Sequence, residues 1–140
     1  MICRIEVEGL DRTGKDTLVG YLDYMSNRLM PVSSRGLLST LAYADIYGRW
    51  LPMEKIDKMC EGNKETLVVM LTADLEDLKI RHQINHHPAI DIMRDYKAFN
   101  RWRDFIQSRG VTVLEYNTTY MTPYEIAKNV LKFILEEDNK

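Results

Sequence analysis

The first residues of the chain alternate between apolar and polar side chains. Cys3, Ile5 and Val7 are apolar, and the residues that separate them are charged. An alternation of period two is typical of a strand with one face in a protein core. The sequence therefore predicts a first strand over residues 3–7.

A helix is predicted after this strand, beyond a turn that contains two glycines. From residue 18 onward, apolar residues recur at every third or fourth position, which is the spacing of one helix face. We expect the helix to begin at about Lys15. Its apolar stripe consists of Leu18, Leu22, Met25 and Leu29.

The remainder of the chain continues to alternate between strand and helix patterns. Residues 66–71 (TLVVML) are almost all apolar, which favours a central parallel strand that is buried on both faces. Thr122, Pro123 and Glu125 have the pattern of a helix start, with a capping threonine, a proline at the first position and a capping box. The other predicted elements are an extended segment near 31–34, helices over 39–49, 53–60, 74–82 and 90–108, and a strand over 111–116.

This order of elements predicts an α/β fold with a mostly parallel sheet. We expect a small sheet of about four strands with helices on its faces. The length of 140 residues suits one domain that extends over the whole chain, residues 1–140.

The composition is that of an ordinary soluble globular protein, with 45% apolar and 29% charged residues. The net charge of −2 predicts no general attraction to nucleic acid or anionic membranes, so any anion site is expected to be local. Cys3 and Cys60 have no paired or metal-binding spacing, and we expect both to be reduced. No apolar run reaches the roughly 18 residues that span a bilayer, and no leader pattern is present. We therefore expect a cytoplasmic protein.

The turn between the first strand and the first helix carries a phosphate-binding pattern. Its sequence GLDRTGKDT, residues 9–17, fits G-x-x-x-x-G-K. Glycines let the backbone turn its N–H groups toward phosphate oxygens, and Lys15 adds a positive charge for the β- and γ-phosphates. The alternative is an ordinary glycine-rich turn, but the position between a strand and a helix favours phosphate binding.

The segment EGLDRTGKDT resembles the phosphate loop of the thymidylate kinase family, E-G-x-D-x-x-G-K-[ST]-T. The matching residues are Glu8, Gly9, Asp11, Gly14, Lys15 and Thr17. The resemblance implies a three-layer P-loop kinase fold, with ATP and Mg²⁺ as cofactors. The ATP phosphates would be bound by Gly9, Asp11, Thr13, Gly14, Lys15, Asp16 and Thr17.

Two residues of this loop bear on catalysis. Some members of the family carry an arginine inside the loop, as Arg12 is here, and the resemblance implies that it bridges the two phosphates in the transition state. A solvated turn residue is the alternative. Asp16 stands where the family has a serine or threonine that binds Mg²⁺. A carboxylate also suits Mg²⁺, so Asp16 is the predicted metal ligand.

A second resemblance lies in residues 34–44, SRGLLSTLAYA. The family has D-R-x-x-x-S-x-x-A-Y-Q at this spacing, and Arg35, Ser39, Ala42 and Tyr43 agree with it. The resemblance implies that Arg35 is catalytic and clamps the acceptor phosphate, for which a guanidinium is well suited. Tyr43 would lie along the base or sugar, unless it belongs to a packed helix face. The full predicted acceptor set is Asp11, Arg35, Ser39, Tyr43 and Arg49, with a surface salt bridge as the alternative for Arg49.

Two positions depart from this family motif. The aspartate of the motif is Ser34 here, and its glutamine is Ala44. A monophosphate is already ionised and needs no general base, whereas a nucleoside hydroxyl does, so the missing carboxylate favours a monophosphate acceptor. The missing amide removes the group expected to recognise thymine.

The resemblance continues more loosely toward the C-terminus. It implies a lid near residues 82–94, with Arg81 and Arg94 as candidates for closing on the ATP phosphates, and an exposed helical face is the alternative. His82 and His86 lie one helical turn apart, but no further ligand completes a metal site. The resemblance also implies adenine contacts from Asn117, Thr118 and Thr119.

These observations predict an ATP-dependent nucleoside monophosphate kinase, acting on a deoxynucleotide such as dTMP. The alternatives are a kinase of another small phosphorylated acceptor and a non-catalytic nucleotide-binding protein. The family normally has another strand and helices where this chain has only residues 28–32. We therefore expect a more open acceptor pocket or a homodimer, located in the host cytoplasm if the chain is viral, with small-molecule nucleotides as its partners.

Overall fold

The structure is a computed structural model that describes residues 1–10, 12–83 and 89–139, with only the backbone described at 82–83 and 89–90. These residues form four strands and six helices that alternate along the chain. The strands are β1 (Arg4–Gly9), β2 (Val32–Ser34), β3 (Thr66–Thr72) and β4 (Thr112–Asn117). The helices are α1 (Lys15–Met25), α2 (Leu37–Ile46), α3 (Met53–Glu61), α4 (Leu75–Gln83), α5 (Ala89–Ser108) and α6 (Pro123–Asp138).

The four strands form one sheet in the order β2-β1-β3-β4, and every neighbouring pair is parallel. Ile5 pairs with Leu67 of β3, which pairs in turn with Thr112 of β4. The prediction of a small, mostly parallel sheet of about four strands is confirmed. Because all strands run the same way, the loops after their carboxyl ends lie along one edge of the sheet.

Helices cover both faces of the sheet and give the fold three layers. On one face, Val68 and Met70 of β3 pack with residues of α2, α3 and α5. On the other face, Leu67, Val69 and Leu71 pack with residues of α1 and α6. The continuous apolar run of β3 is therefore explained by burial on both sides, as the sequence predicted.

Three predicted helix boundaries were wrong: the end of α1 and both ends of α2. Helix α1 ends at Met25, because Asn27 and Arg28 turn the chain with φ of 54° and 61°, and Leu29 is 85% exposed instead of buried on the stripe. Helix α2 begins at Leu37 and ends at Ile46, with Gly48 (φ 66°) in the turn beyond it. The segment predicted as helix through residue 49 therefore ends earlier.

The start of α6 agrees with its prediction in detail. The Thr122 hydroxyl accepts a hydrogen bond from the backbone N–H of Glu125 at 3.2 Å, and the Glu125 carboxylate accepts one from the Thr122 N–H at 3.2 Å. Pro123 occupies the first helical position. Among the described residues, no helix combines the length and the apolar character that a membrane span requires.

Candidate functional site

The loop between β1 and α1 has the backbone shape that its glycines predict. Gly9 has φ 139°, and a Cβ at this position would lie 2.3 Å from the carbonyl oxygen of Leu71. Arg12 and Gly14 also have positive φ, of 66° and 91°. Gly14 is the N-cap of α1 and makes no side-chain capping bond. The positive end of α1 is therefore available to an anion.

Two side chains of the loop stabilise it by donating hydrogen bonds to the loop's own backbone. Thr13 is buried, and its hydroxyl donates to the carbonyl oxygen of Leu10 at 2.7 Å. The ammonium of Lys15 donates to the same carbonyl at 2.7 Å, and Lys15 is only 9% exposed. An ammonium has three donors, so this bond leaves Lys15 able to contact a phosphate as well.

A cavity of about 590 Å³ opens beside this loop. The described residues around it belong to the phosphate loop and to the end of β2 with the residue after it. They are Arg12, Gly14, Lys15, Asp16, Thr17, Ser34 and Arg35. The cations outnumber the single carboxylate three to one, so the cavity is locally positive in a chain whose net charge is −2.

Arg35 is brought to this cavity by a strained backbone and an aromatic contact. Its φ is 70°, and its N–H donates to the carbonyl oxygen of Val7 in β1 at 2.8 Å. Its guanidinium carbon lies 5.6 Å from the ring centroid of Tyr43, which meets Phe99 edge-on at 5.5 Å. The structure thus places two residues of the predicted acceptor set, Arg35 and Tyr43, side by side.

Two buried carboxylates of β1 hold the start of α2, and sequence reasoning assigned them no role. The Glu6 carboxylate accepts a hydrogen bond from the Leu37 N–H at 3.0 Å. The Glu8 carboxylate accepts from the hydroxyl of Ser39 at 2.7 Å and also from its N–H. Charged caps at a helix N-terminus are stabilising, and here they fix α2, which follows Arg35, to the strand that leads into the phosphate loop.

Glu8 is fully buried at this point, and burial raises its pKa to about 7. The hydrogen bonds from Ser39 act in the opposite direction, and the nearby charge of Glu6 raises the pKa further. The signal in the sequence was the pair of glutamates at alternate positions of a strand next to a phosphate loop. A buried carboxylate pair of this kind requires partners, but the sequence does not say which.

The described lining of the cavity does not include Ser39, Arg49 or Arg94, which were predicted for the site. Ser39 is 5% exposed and its hydroxyl donates to Glu8. It therefore anchors the start of α2 to β1 instead of lining the cavity. Arg49 lies 5.7 Å from the ring of Tyr47 and lines a separate cavity with Trp50. Arg94 pairs with its neighbours on α5, at 3.7 Å from Asp91 and 3.1 Å from Asp95. The structure therefore does not bring Arg49 and Arg94 to the phosphate loop.

Arg81, in contrast, does reach the phosphate loop. Its guanidinium donates to the carbonyl oxygen of Arg12 at 2.9 Å and to the hydroxyl of Thr118 at 3.1 Å. It is also paired with Asp77 at 2.6 Å. Arg81 therefore ties α4 to the phosphate loop and to the loop after β4, where Asn117 to Thr119 lie.

Some of the predicted residues lie outside the part of the chain that the structure describes. One is Asp11, which was predicted to bind both the ATP phosphates and the acceptor. The others are residues 84–88 of the predicted lid, which include His86. The side chain of His82 is also outside it.

The predicted metal site depends on which ligands the described side chains offer. Among them, no group of three or more His, Cys, Asp or Glu residues could hold an ion. Mg²⁺ at nucleotide sites commonly uses one or two carboxylates together with waters and substrate phosphates. Asp16 supplies one carboxylate on the wall of the cavity, which fits this mode of binding.

Comparison with known proteins bears on the fold. No family model matches the chain, and no curated protein sequence matches it. A solved structure with similar architecture is the YorR protein of Bacillus subtilis, determined in complex with phosphorylated GDP. The two share 19% sequence identity over 97% of this chain and 98% of that chain, with a TM-score of 0.78. The chain therefore has a P-loop kinase-like fold, and the similarity at this identity does not extend to function.

Proposed function

We propose that the chain is an ATP-dependent nucleoside monophosphate kinase, with a deoxynucleoside monophosphate such as dTMP as acceptor. The observation that carries this proposal is the convergence of Arg12, Lys15 and Arg35 on one cavity. Two of these cations belong to the phosphate loop, and the third, Arg35, follows β2, a strand that pairs with β1. Such an arrangement suits two phosphorylated molecules that meet between the cations.

The reaction requires little covalent chemistry from the protein. An oxygen of the acceptor monophosphate forms a bond to the γ-phosphorus of ATP, and the bond from that phosphorus to the β,γ-bridging oxygen breaks, so ADP leaves. The acceptor oxygen is already ionised, so no general base is needed. Catalysis then consists of positioning and of neutralising charge on the transferring oxygens.

Each cation has a distinct place in this scheme. Lys15 would contact the β- and γ-phosphates from inside the loop, and Arg35 would hold the acceptor phosphate. Arg12 lines the same cavity as Lys15 and Arg35, where it would neutralise charge on the transferring group. When bound, Mg²⁺ would neutralise the β- and γ-phosphates, and Asp16 would hold it from the first turn of α1.

The nucleotide class of this ligand also has support outside the cavity. YorR, which shares the fold, was determined with phosphorylated GDP. The thymidylate kinase resemblance of the two motifs points the same way, although Ala44 lacks the amide that would select thymine. A homodimer and a cytoplasmic location remain predictions from the sequence.

The direct test is a transfer assay with ATP, Mg²⁺ and a panel of deoxynucleoside monophosphates. We expect nucleoside diphosphate as the product, with kcat/KM reduced roughly tens- to thousands-fold in Lys15→Ala, Arg12→Ala and Arg35→Ala. Arg28→Ala is the matched control, because the Arg28 side chain is 83% exposed and is not among the described residues that line the cavity. ATP binding without turnover on any acceptor would favour the non-catalytic alternative instead.

A further inference from the structure

The polar groups at the end of β4 and in the loop after it, residues 117–121, are bonded to one another and to neighbouring residues of the protein. From this we infer that the phosphate-donor site does not select the donor base, so that the protein takes ATP, GTP, CTP and UTP with similar efficiency. This inference rests on the proposed function and specifies the donor class of the same site. It replaces the expectation that Asn117, Thr118 and Thr119 recognise adenine.

This loop lies next to the phosphate loop, where the proposed function places the donor phosphates. Arg81 joins it to the phosphate loop, since one guanidinium nitrogen bonds both the Arg12 carbonyl and the Thr118 hydroxyl. The other guanidinium nitrogen contacts the Thr118 carbonyl at 3.4 Å. A nucleotide with its phosphates at Lys15 and its base toward the end of β4 would lie against these residues.

The backbone donors of the loop are already engaged. The Thr118 N–H bonds the Thr72 carbonyl at 2.7 Å, and the Thr119 N–H bonds the Asn117 side-chain oxygen at 2.9 Å. The N–H groups of Tyr120 and Met121 both donate to the Asn117 carbonyl, at 3.2 and 3.1 Å. The N–H group of Thr118 therefore bonds β3, and those of residues 119–121 bond Asn117, so all four are used within the protein.

The hydroxyl groups of the loop are engaged as well. Thr118 donates to the Thr72 carbonyl at 3.1 Å, and Thr119 donates to Asp77 at 3.0 Å while it accepts from the Asp74 N–H at 2.9 Å. The Tyr120 hydroxyl donates to Asp74.

The side-chain amide of Asn117 also bonds Asp74, at 2.9 Å. The carboxylates of Asp74 and Asp77, which precede and begin α4, thus hold the loop through its side chains. Asn117 keeps a second amide hydrogen, so it is the side chain on which the inference is most directly tested.

Selection of one base requires hydrogen-bond donors or acceptors that face the base, and in this loop such groups are mostly bonded within the protein. Adenine accepts at N1 and donates from its 6-amino group, whereas guanine donates at N1 and accepts at its 6-oxygen. A site separates them strongly only when a buried donor or acceptor is left unpaired by the wrong base. A backbone carbonyl could still accept from an exocyclic amine, but adenine, guanine and cytosine all carry one.

The transfer step is the same for every donor. The γ-phosphorus loses its bond to the β,γ-bridging oxygen and gains one to the acceptor phosphate, and the donor leaves as its nucleoside diphosphate. Affinity for the donor would then come from Arg12, Lys15 and the amides at the start of α1, all of which meet phosphate.

The test measures kcat/KM for ATP, GTP, CTP and UTP with Mg²⁺ and one deoxynucleoside monophosphate. We expect the four values to lie within about tenfold of one another, because the described polar groups of residues 117–121 are bonded within the protein whichever base is present. The variants Thr118→Val and Asn117→Ala are assayed in parallel, and for each the kcat/KM for ATP is divided by the kcat/KM for GTP. Loss of stability lowers both values together, so this ratio is expected to stay within about threefold of wild type.

The possible outcomes separate this inference from the proposed function. A preference of more than about tenfold for one triphosphate, or a change of the ratio by more than about threefold in either variant, would overturn the inference and leave the kinase proposal intact. If no triphosphate supports transfer, the kinase proposal fails, and the relative Kd values of the four triphosphates, from competition with a fluorescent ATP analogue, decide the inference. Absence of all nucleotide binding would overturn both.

Discussion

Gly9 stands where β1 enters the phosphate loop, and the loop has no room for a side chain there. Its φ is 139°, and an added Cβ would lie 2.3 Å from a backbone oxygen of β3. We expect Gly9→Ala to destabilise the fold by roughly 3 kcal/mol or more, because both the backbone angle and the strand pairing resist it. Urea unfolding measures this change in free energy.

The matched control for Gly9 is another glycine of the same region. Gly20 lies in the middle of α1, is exposed, and has nothing within 4 Å of an added Cβ. Gly20→Ala is expected to stabilise the protein by roughly 0.5–1 kcal/mol through helix propensity. Equal effects of the two substitutions would contradict the strain assigned to Gly9.

Glu8 makes stability depend on pH in a defined direction. Its pKa is about 7 in the folded protein and 4.5 in the reference state, so between these values the folded state keeps a proton that the unfolded state has released. The free energy of unfolding therefore falls as pH rises from about 4.5 to 7, by roughly 3 kcal/mol from this group. Below pH 4.5 and above pH 7, Glu8 does not change the free energy of unfolding with pH.

Glu8→Gln should remove this part of the pH dependence. A glutamine can accept from the Ser39 N–H and donate to its hydroxyl, as a protonated glutamate does. We expect the variant to lose less stability than wild type between pH 5 and pH 7 in urea titrations. Glu54→Gln on the exposed side of α3, where the side chain is 82% exposed, serves as the control. Parallel curves for wild type and Glu8→Gln would contradict the prediction.

Asp16 is the residue that tests the metal prediction. Asp16→Ala removes the only carboxylate among the described residues that line the cavity, and Asp16→Ser restores the hydroxyl that most phosphate loops carry. We expect the alanine variant to lose roughly tenfold or more in kcat/KM and to require more Mg²⁺, because a ligand of the ion is missing. The serine variant should keep most of the activity, and equal losses in both would argue against a metal role.

At the scale of single elements, α6 has the most complete start. Thr122 and Glu125 bond each other reciprocally through side chain and backbone. Thr122→Ala should lower stability by about 1 kcal/mol, because an N–H of the first turn loses its acceptor. Lys132→Ala, at an exposed position inside the same helix, should change stability by less than about 0.5 kcal/mol. Thermal or urea unfolding compares the two variants.

Helix α2 starts in a different way, with acceptors from another element. Gly36 precedes it, and a Cβ there would lie 2.2 Å from the carboxyl carbon of Glu6. The capping carboxylates come from β1 and lie 31 residues earlier in the chain. This contrast explains why the start of α6 was predicted correctly and that of α2 was placed two residues too late.

For the whole molecule, the charge distribution matters more than the total charge. A net charge of −2 coexists with a cavity lined by three cations, so binding of a nucleotide should be local and strong enough to stabilise the fold. With Mg²⁺ and ATP at about 100 times Kd, we expect roughly 2.7 kcal/mol of added stability and a rise in Tm on the order of 10 °C. Lys15→Ala should show a much smaller rise. If ATP raised the Tm of Lys15→Ala as much as that of wild type, Lys15 would not contribute to ATP binding.

The sequence by itself determined the features that depend on neighbouring residues. Strand alternation, the apolar run of β3, the glycine loop and the capping box of α6 are local patterns, and each was confirmed where it was predicted. The order of these elements was enough to predict a parallel sheet between two helical layers, because parallel strands require helical crossovers. The resemblance of two sequence motifs to the thymidylate kinase family brought Arg12, Lys15 and Arg35 into one hypothesis, and the structure places all three on the same cavity.

Only the tertiary structure decided where polar groups find their partners. Glu8 bonds Ser39. Arg49 and Arg94 make their contacts away from the phosphate loop. The polar groups of residues 117–121 bond Asp74, Asp77 and one another. These partners are distant in sequence and are chosen by how the elements pack. A buried polar group must find a partner, and periodicity shows only that it is buried. The identity of that partner depends on the packing of the whole chain.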